Sequence, residues 1–521
     1  MAESSSPGLQ LFNTLTGTLE PFIPLDPAGK QVKLYVCGPT VYDDAHLGHA
    51  RCYITWDVLY RFLKFSGYGV KYVRNVTDVD DKILNRATER GETPAELAER
   101  NYQSFSDDMK ALNVLPPDEE PRATHYISHM LAGVQTLVAK GAAYPTADGS
   151  VYFRVSAKAD YGKLKFGTQN PEALKKHLDD LKSGARVEVD AGKESPLDFA
   201  LWKAVSPSDP NGWESPWPAE GQAAAKGWGR PGWHMECSAM NQAVFGDQID
   251  IHAGGADLIF PHHENEIAQS EAWSGLSGHD EHSRFAKYWL HNGFVNVSGE
   301  KMSKSLGNFS TVKKLLERYD ANTIRYFLLT NHYRMPVDFN DEALQACKEW
   351  IVRVRRKFVQ LNVNLLDILN GVDSKAKQAF LGGEFCLALQ RDLNTSQALG
   401  ELNRALKGFS EESLNDETLL QNTALMMFLM GFDLAYFGAQ LVGTTGPLQA
   451  FGSMNAEGAV VDSPAKLLAD QVRQRRAAKA EKNWAEADRL RNEIMEQGYQ
   501  LLDNKDGTTT VEKDGLEIVR V

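Results

Sequence analysis

Residues 32–65 read VKLYVCGPTVYDDAHLGHARCYITWDVLYRFLKF. The run from Val32 to Val36 is short, apolar and β-rich, and Cys37-Gly38-Pro39 breaks it, which is the pattern of a buried strand ending in a loop. From Tyr53 to Phe65 apolar residues recur at spacings of three and four, which predicts a helix. Val70 to Val73 reads as a second strand, followed by Asn75-Val76-Thr77-Asp78. Strand, loop, helix and strand in that order predict an α/β fold with a parallel sheet. The pattern returns at Ile249-Asp250-Ile251-His252 and in a short strand near Phe294 to Val297. Between the two halves, residues 82–142 read as mostly helical. Residues 146–231, rich in Gly, Pro and Trp, read as an irregular insertion. From Asp341 to Val442 the pattern is helical and strand-poor, with broad apolar stripes in Glu349 to Leu361 and Thr423 to Leu441 that predict a helical bundle. Gly443 to Gly458 has linker composition, and Ser463-Pro464 suits the opening of a further helical stretch.

The chain has 521 residues, 42% hydrophobic and 24% charged, so it is globular in composition and suggests about three or four folding units. No apolar run is long enough to span a bilayer. The first 30 residues contain no Arg and their only Lys is Lys30, unlike a secretory or transit leader, so a cytoplasmic protein with no membrane association is expected. A monomer is expected as well. Cys37, Cys52, Cys237, Cys347 and Cys386 are too few and scattered for a disulfide framework. A net charge of −13 argues against wholesale nucleic-acid binding but leaves room for a local basic surface.

Two short segments carry phosphate chemistry. His46-Leu47-Gly48-His49 follows the first strand and loop. Glycine admits a phosphate close to the backbone, a helix starting there aims N–H groups at an anion, and imidazoles add donors. In isolation the tetrapeptide would equally suit two packing histidines. Lys301-Met302-Ser303-Lys304-Ser305, followed by Leu306-Gly307-Asn308, offers two cations and two hydroxyls in a tight loop, whose bland reading is a solvated basic turn.

Together, HLGH and KMSKS resemble the two signature motifs of class I aminoacyl-tRNA synthetases, in the expected order. The stretches VCGPTVYD, GWHMECSAM and FPHHENEIAQSEA narrow the resemblance to cysteinyl-tRNA synthetases, over nearly the whole chain. The resemblance implies a Rossmann-type catalytic domain with an inserted connective region, followed by a helical bundle and a small C-terminal anticodon-binding domain. It places the first catalytic half at 1–145, the insertion at 146–231 and the second half at 232–310. A connection at 311–340, the bundle at 341–442, a linker at 443–462 and the anticodon-binding region at 463–521 complete the chain. It implies one Zn²⁺ held by Cys37, Cys237, His262 and Glu266, a ligand set of suitable chemistry. His262 and Glu266 are four apart, on one face of a helix. It implies a cysteine pocket lined by Gly38, Thr77, Trp233 and His252. His46, Gly48, His49 and Lys304 are implied to bind ATP. His46, His49, Lys301 and Lys304 are implied to act in catalysis, Mg²⁺ accompanying ATP without legible ligands.

The implied reaction makes cysteinyl-adenylate from L-cysteine and ATP and transfers cysteine to the terminal adenosine of tRNA(Cys). Arg473, Arg475, Arg476, Lys479, Arg489 and Arg491 crowd one C-terminal stretch and are the tRNA-binding candidates, although interspersed Glu481, Glu486 and Asp488 also fit a solvated helix face. The family usually has a Trp just after the Gly-Thr turn, where this chain has Thr510-Val511, so stacking on an anticodon base is expected to come from elsewhere. Gly278 to Arg284 is an extra loop without an assigned role. Asp78, Asp80 and Asp81 read as a structured, helix-capping loop, and Cys52, Cys347 and Cys386 as packing residues. No hydrolytic editing signature is legible in the insertion. Two rivals are a ligase joining cysteine to a small amino-sugar acceptor, which needs no basic tail, and a non-catalytic RNA-binding paralogue, which would not keep both motif sets intact.

Overall fold

The structure, a computed structural model, describes residues 8–166, 192–220, 226–297, 300–301, 310–437, 464–480, 483–503, 508–513 and 516–520. The expected linker, and Lys304 with most of its loop, lie outside these residues. No helix among them is long and apolar enough to cross a membrane.

The chain forms two compact units. The first comprises Met1–Leu344, Lys377–Asn403 and Leu429–Phe432. Its centre is a parallel sheet of β1 (Gln31–Val36), β2 (Gly69–Arg74), β3 (Ile249–Gly255) and β4 (Ala286–Asn292), in the spatial order β4-β3-β1-β2. Val36 is opposite Arg74 on one side and Ala253 on the other, and His252 is opposite Trp289. A parallel sheet is covered on both faces, which is why Leu34, Tyr35 and Val36 are all buried. Helix α1 (Leu47–Phe65) crosses from β1 to β2 and is buried almost throughout. It therefore lacks the polar stripe of a surface helix.

Sequence patterning misses two features. Strand β4, Ala286–Asn292, is buried along its whole length despite Lys287, His291 and Asn292. The described part of the insertion is not irregular. Ala143–Pro145, Val151–Phe153, Phe199–Ala204, Gly227–Pro231 and Trp213–Ser215 form, in that order, an antiparallel sheet. Strands of three to six residues punctuated by Gly and Pro carry too little alternation to read. Asp80 does cap the helix Asp81–Arg90, accepting from the Lys82 amide at 2.8 Å.

A buried charge cluster braces α1. The Asp57 carboxylate accepts from Arg61 Nε at 2.9 Å, from the Leu115 amide at 2.9 Å and from Arg325 Nη2. Burial opposes its ionisation, yet Arg325 and then Arg61 hold the carboxyl below its ordinary range. Asp57→Asn should therefore lose about 3–5 kcal/mol, because two guanidinium groups are left buried without their carboxylate. A depressed carboxyl stabilises at neutral pH and loses that contribution as pH falls through its lowered pKa. Urea unfolding should show a wide gap between wild type and variant at neutral pH and a narrowing gap in acid. An equal gap at both would contradict this account.

The second unit comprises Gln345–Ala376, Arg404–Phe428 and Asp433–Val521. Near its end, helices Pro464–Ala480 and Trp484–Glu496 are followed by an antiparallel sheet of Gln500–Asp503, Thr509–Lys513 and Leu516–Arg520. Leu468, Val472, Ile494 and Val511 form its small core.

Candidate active site

Four elements deliver the metal-ligand candidates to one point. Cys37 follows β1. Cys237 is in the first turns of α2 (Trp233–Phe245), His262 in the π-helical turn Ile259–His263, and Glu266 in α3 (Glu264–Ser274). Their ligand atoms all lie within 4.8 Å of one another and all four residues are buried. Cys37 Sγ is 4.0 Å from Cys237 Sγ and 3.6 Å from a Glu266 oxygen, and His262 Nε2 is 3.0 Å from the same carboxylate. Two thiols, an imidazole and a carboxylate at this separation suit a tetrahedral divalent ion. Burial lifts the Cys37 thiol, and the hydrogen bond from Cys37 draws Cys237 down to about 6. Burial opposes charge on His262, but Glu266 and Cys237 raise that imidazole to about 10. Burial likewise opposes charge on Glu266, but His252 and His262 hold its carboxyl at about 2. A divalent cation bound there would displace the His262 proton and take over its pairing with Cys237 and Glu266.

Further imidazoles surround the ligands: His252, expected from sequence as a pocket residue, and His234, His263 and His291, which the sequence does not single out. His252 Nε2 meets Glu266 at 3.0 Å, His263 Nε2 meets Cys37 Sγ at 3.3 Å, and His234 Nδ1 meets His262 Nδ1 at 2.9 Å. His263 continues to His291 at 2.8 Å, and His291 to Thr14 Oγ1 at 2.8 Å. Such partners fix ring orientation around a metal. Burial and the neighbouring imidazoles push His263 well below its usual range, and burial takes His291 down to about 3. The doubled histidine of FPHHENE was the available signal.

The pocket candidates lie beside this cluster. Gly38 donates its amide to Asn75 Oδ1 at 2.8 Å, and a Cβ there would lie 1.4 Å from the Asn75 carbonyl oxygen, so no other residue fits. Thr77 is buried and donates its amide to Pro39 O at 3.1 Å, closing the ends of β1 and β2 over Gly38. Trp233 stacks on His262 with ring centres 4.1 Å apart. His252 stacks on Trp289 at 4.4 Å and keeps a buried Nδ1 without a hydrogen-bond partner among the described residues.

HLGH opens α1. His46 is the N-cap, and the two imidazoles form a reciprocal capping box: each Nδ1 accepts the other residue's backbone N–H at 3.2 Å, with the rings stacked 3.8 Å apart. With Nδ1 accepting, the neutral rings carry their protons on Nε2 as donors. Both flanks of the second signature are described. Lys301 pairs with Asn296 in an antiparallel bridge. After the loop, the Leu47 amide donates to Ser310 O at 3.3 Å and the Val312 amide to Ala45 O at 2.9 Å, so the exit is bonded to the HLGH segment itself.

The C-terminal basic residues divide. Arg475 is buried and forks onto Asp503 at 2.9 and 3.0 Å, Lys479 joins Asp503 at 2.6 Å, and Arg489 bridges Glu486 and Glu493. Arg473, Arg476 and Arg491 are exposed. Val511 is fully buried in the small core, whereas Trp484 is 61% exposed. The extra loop folds on itself through Gly278 N to Ser283 O at 2.7 Å, and Lys163 reaches Gly278 O at 3.3 Å. Cys52, Cys347 and Cys386 are buried, and burial pushes Cys52 up to about 12.

Residues 25–349 match the family described as tRNA synthetases class I (C) catalytic domain. A cysteine–tRNA ligase of Chromobacterium violaceum is 43% identical over 504 residues, covering 96% of this chain and 99% of that protein. One from Geobacter sulfurreducens is 42% identical over 509 residues, with the same two coverages of 96% and 99%. Among solved structures, the Agrobacterium radiobacter LeuRS in its ternary complex with tRNA and LeuAMS superposes with a TM-score of 0.54 at 13% identity, covering 80% of this chain and 85% of that one. That likeness concerns the fold, a class I catalytic architecture. With relatives this similar from end to end and a catalytic-domain match spanning both signatures, the chain belongs to the cysteine–tRNA ligase family.

Proposed function

We propose that this chain activates L-cysteine with ATP and transfers it to the 3′-terminal adenosine of tRNA(Cys). The convergence of Cys37, Cys237, His262 and Glu266 at the carboxyl ends of a parallel sheet, where such folds bind ligands, carries the reading. These four residues fit Zn²⁺. Bound there, zinc would supply a Lewis acid that favours a soft thiolate over serine's harder, neutral hydroxyl. Gly38, Thr77, Trp233 and His252 bound the space beside it for the rest of the amino acid.

In the first step the cysteine carboxylate oxygen attacks the α-phosphorus, the bond to the β-phosphate oxygen breaks, and pyrophosphate leaves. Placement and charge neutralisation supply most of the catalysis. His46 and His49 donate Nε2–H to phosphate oxygens, while Gly48 lets them approach the α1 N-terminus. Lys304, with Lys301, offsets charge on the departing pyrophosphate, which Mg²⁺ accompanies. In the second step a terminal ribose hydroxyl attacks the adenylate carbonyl and AMP leaves. Cysteine-dependent ATP–pyrophosphate exchange, followed by charging of tRNA(Cys), tests the whole reading. Exchange dependent on another amino acid, or exchange without tRNA charging, would sink it; the latter outcome favours the small-acceptor ligase.

For the RNA, the exposed members of the basic set are the favoured phosphate contacts, and exposed Trp484, at the start of the second of these helices, is the favoured stacking surface. Arg475, Lys479 and Arg489 are engaged with carboxylates of their own unit and contribute by holding its shape. Arg476→Ala and Arg491→Ala should each weaken tRNA binding and reduce its salt slope by about one. An unchanged slope in the double variant would remove both from the interface.

A further inference from the structure

Arg51 sits two residues beyond His49 in α1 and is fully buried. Its guanidinium gathers backbone carbonyls from distant segments. Nε donates to Gly293 O at 3.2 Å and Nη1 to Leu328 O at 3.0 Å. Nη2 is shared among His332 O at 3.2 Å, Tyr333 O at 3.3 Å and Met335 O at 2.6 Å. Burial pulls the group down to about 10, so it is still a cation at neutral pH. A buried charge solvated by carbonyl dipoles is an expensive way to hold a helix if packing alone were needed.

The segments it grips explain the expense. Gly293 joins β4 to the short strand Val295–Val297, and that strand pairs antiparallel with Glu300–Lys301, the entry to the KMSKS loop. Val295–Val297 also pairs, in parallel, with Val337–Phe339, which directly follows the turn whose carbonyls Arg51 collects. Gly293 N to Tyr333 O at 2.7 Å and Val337 N to Phe294 O at 3.0 Å stitch these pieces together. The loop's exit is already bonded to Ala45 and Leu47. The helix that begins with HLGH therefore holds the loop's exit by its own backbone and the loop's entry through one guanidinium. A planar fork fixes distance and angle together, which a lysine amine on a flexible stem cannot do.

We propose that Arg51 is a positioning residue for the ATP half-reaction, setting the spacing between the HLGH histidines and the entry of the KMSKS loop. The proposal rests on the reading of both signatures as phosphate-binding. It requires a kinetic effect on ATP chemistry that spares the cysteine pocket, because none of the five hydrogen bonds that the guanidinium makes among the described residues reaches a pocket or metal-ligand candidate.

The test compares Arg51→Lys and Gly293→Ala with wild type. Arg51→Lys keeps charge and stem but loses the fork. Gly293→Ala leaves the guanidinium intact but places a Cβ 2.6 Å from Met335 O, pushing the same two segments apart. Thermal melting establishes that each is folded, exchange kinetics give kcat and KM for ATP, and calorimetric titration with L-cysteine in the absence of ATP reports the pocket. Both variants should lower kcat for exchange about tenfold to a hundredfold, as misplacement near 1 Å does, while cysteine affinity stays within about twofold. Wild-type exchange in Arg51→Lys, or cysteine affinity falling in step with exchange, overturns the proposal. His49→Ala is run alongside: if it exchanges like wild type, the phosphate reading of HLGH fails, which is a different failure from that of Arg51.

Discussion

Replacing Cys237 by alanine is expected to abolish bound zinc and cysteine activation together, the latter by about 10³-fold or more, since substrate selection rests on a bond that packing around a small side chain cannot replace. The variant keeps Cys37, His262 and Glu266, one group short of the four-membered set and with only one of its two sulfur ligands. The substrate thiol then has neither its metal nor the thiolate environment that makes the metal selective for sulfur. Little of this loss should come from unfolding. Cys237 is a small buried side chain, and the removal of one sulfur from a packed interior costs far less than a large-to-small change in the core. Elemental analysis, exchange kinetics and melting on the same preparation separate the effects. Full zinc occupancy in Cys237→Ala would remove this residue from the ligand set. Zinc loss with normal exchange would keep the site but strip it of any part in cysteine selection.

The legible strands are those whose buried positions are filled mainly by apolar residues. Leu34 to Val36 are buried on both faces and read as a continuous apolar run, and Ile249 to Ala253, just as buried, are legible through Ile249, Ile251 and Ala253 despite Asp250 and His252 between them. Strand β4 escapes the same reading because its Lys287 carbons pack while its amine pairs with Glu281 at 3.0 Å, and because His291 is spent on His263 and Thr14. A polar residue satisfied inside the fold cannot be told from a solvated one by sequence. The same ambiguity governs the C-terminal helices, where Arg475 and Arg476 are neighbours in sequence, one forked onto Asp503 and one exposed. The site was legible only in pieces. HLGH follows from a strand, a glycine and a helix start. Cys37 and Cys237, 200 residues apart, are joined in sequence by family resemblance alone and in space by the topology that brings α2 back beside β1. Arg51 had one signal, a cation set in the apolar run of α1, and nothing in the sequence says which carbonyls it collects.

Lys304→Ala should slow adenylate formation by about 150-fold, the equivalent of roughly 3 kcal/mol for one contact aimed at charge that develops in the transition state. Lys304 lies outside the described residues, whereas the anchors on both sides of its loop lie within them. The loop's entry pairs with Asn296 and its exit is bonded to Ala45 and Leu47, which brackets the loop against the same helix start that carries His46 and His49. Negative charge builds on the β-phosphate oxygen only as its bond to the α-phosphorus breaks. A lysine that meets that charge contributes to kcat and not to ground-state binding of cysteine. The single-turnover rate of adenylate formation should therefore fall, while the dissociation constant of cysteine and the zinc content stay at wild-type values. Charging of tRNA from preformed cysteinyl-adenylate should be nearly normal, because pyrophosphate has already left when the ribose hydroxyl attacks. The converse pattern, a raised cysteine dissociation constant with an unchanged single-turnover rate, would place Lys304 on the amino-acid side of the site and leave the pyrophosphate without its proposed partner.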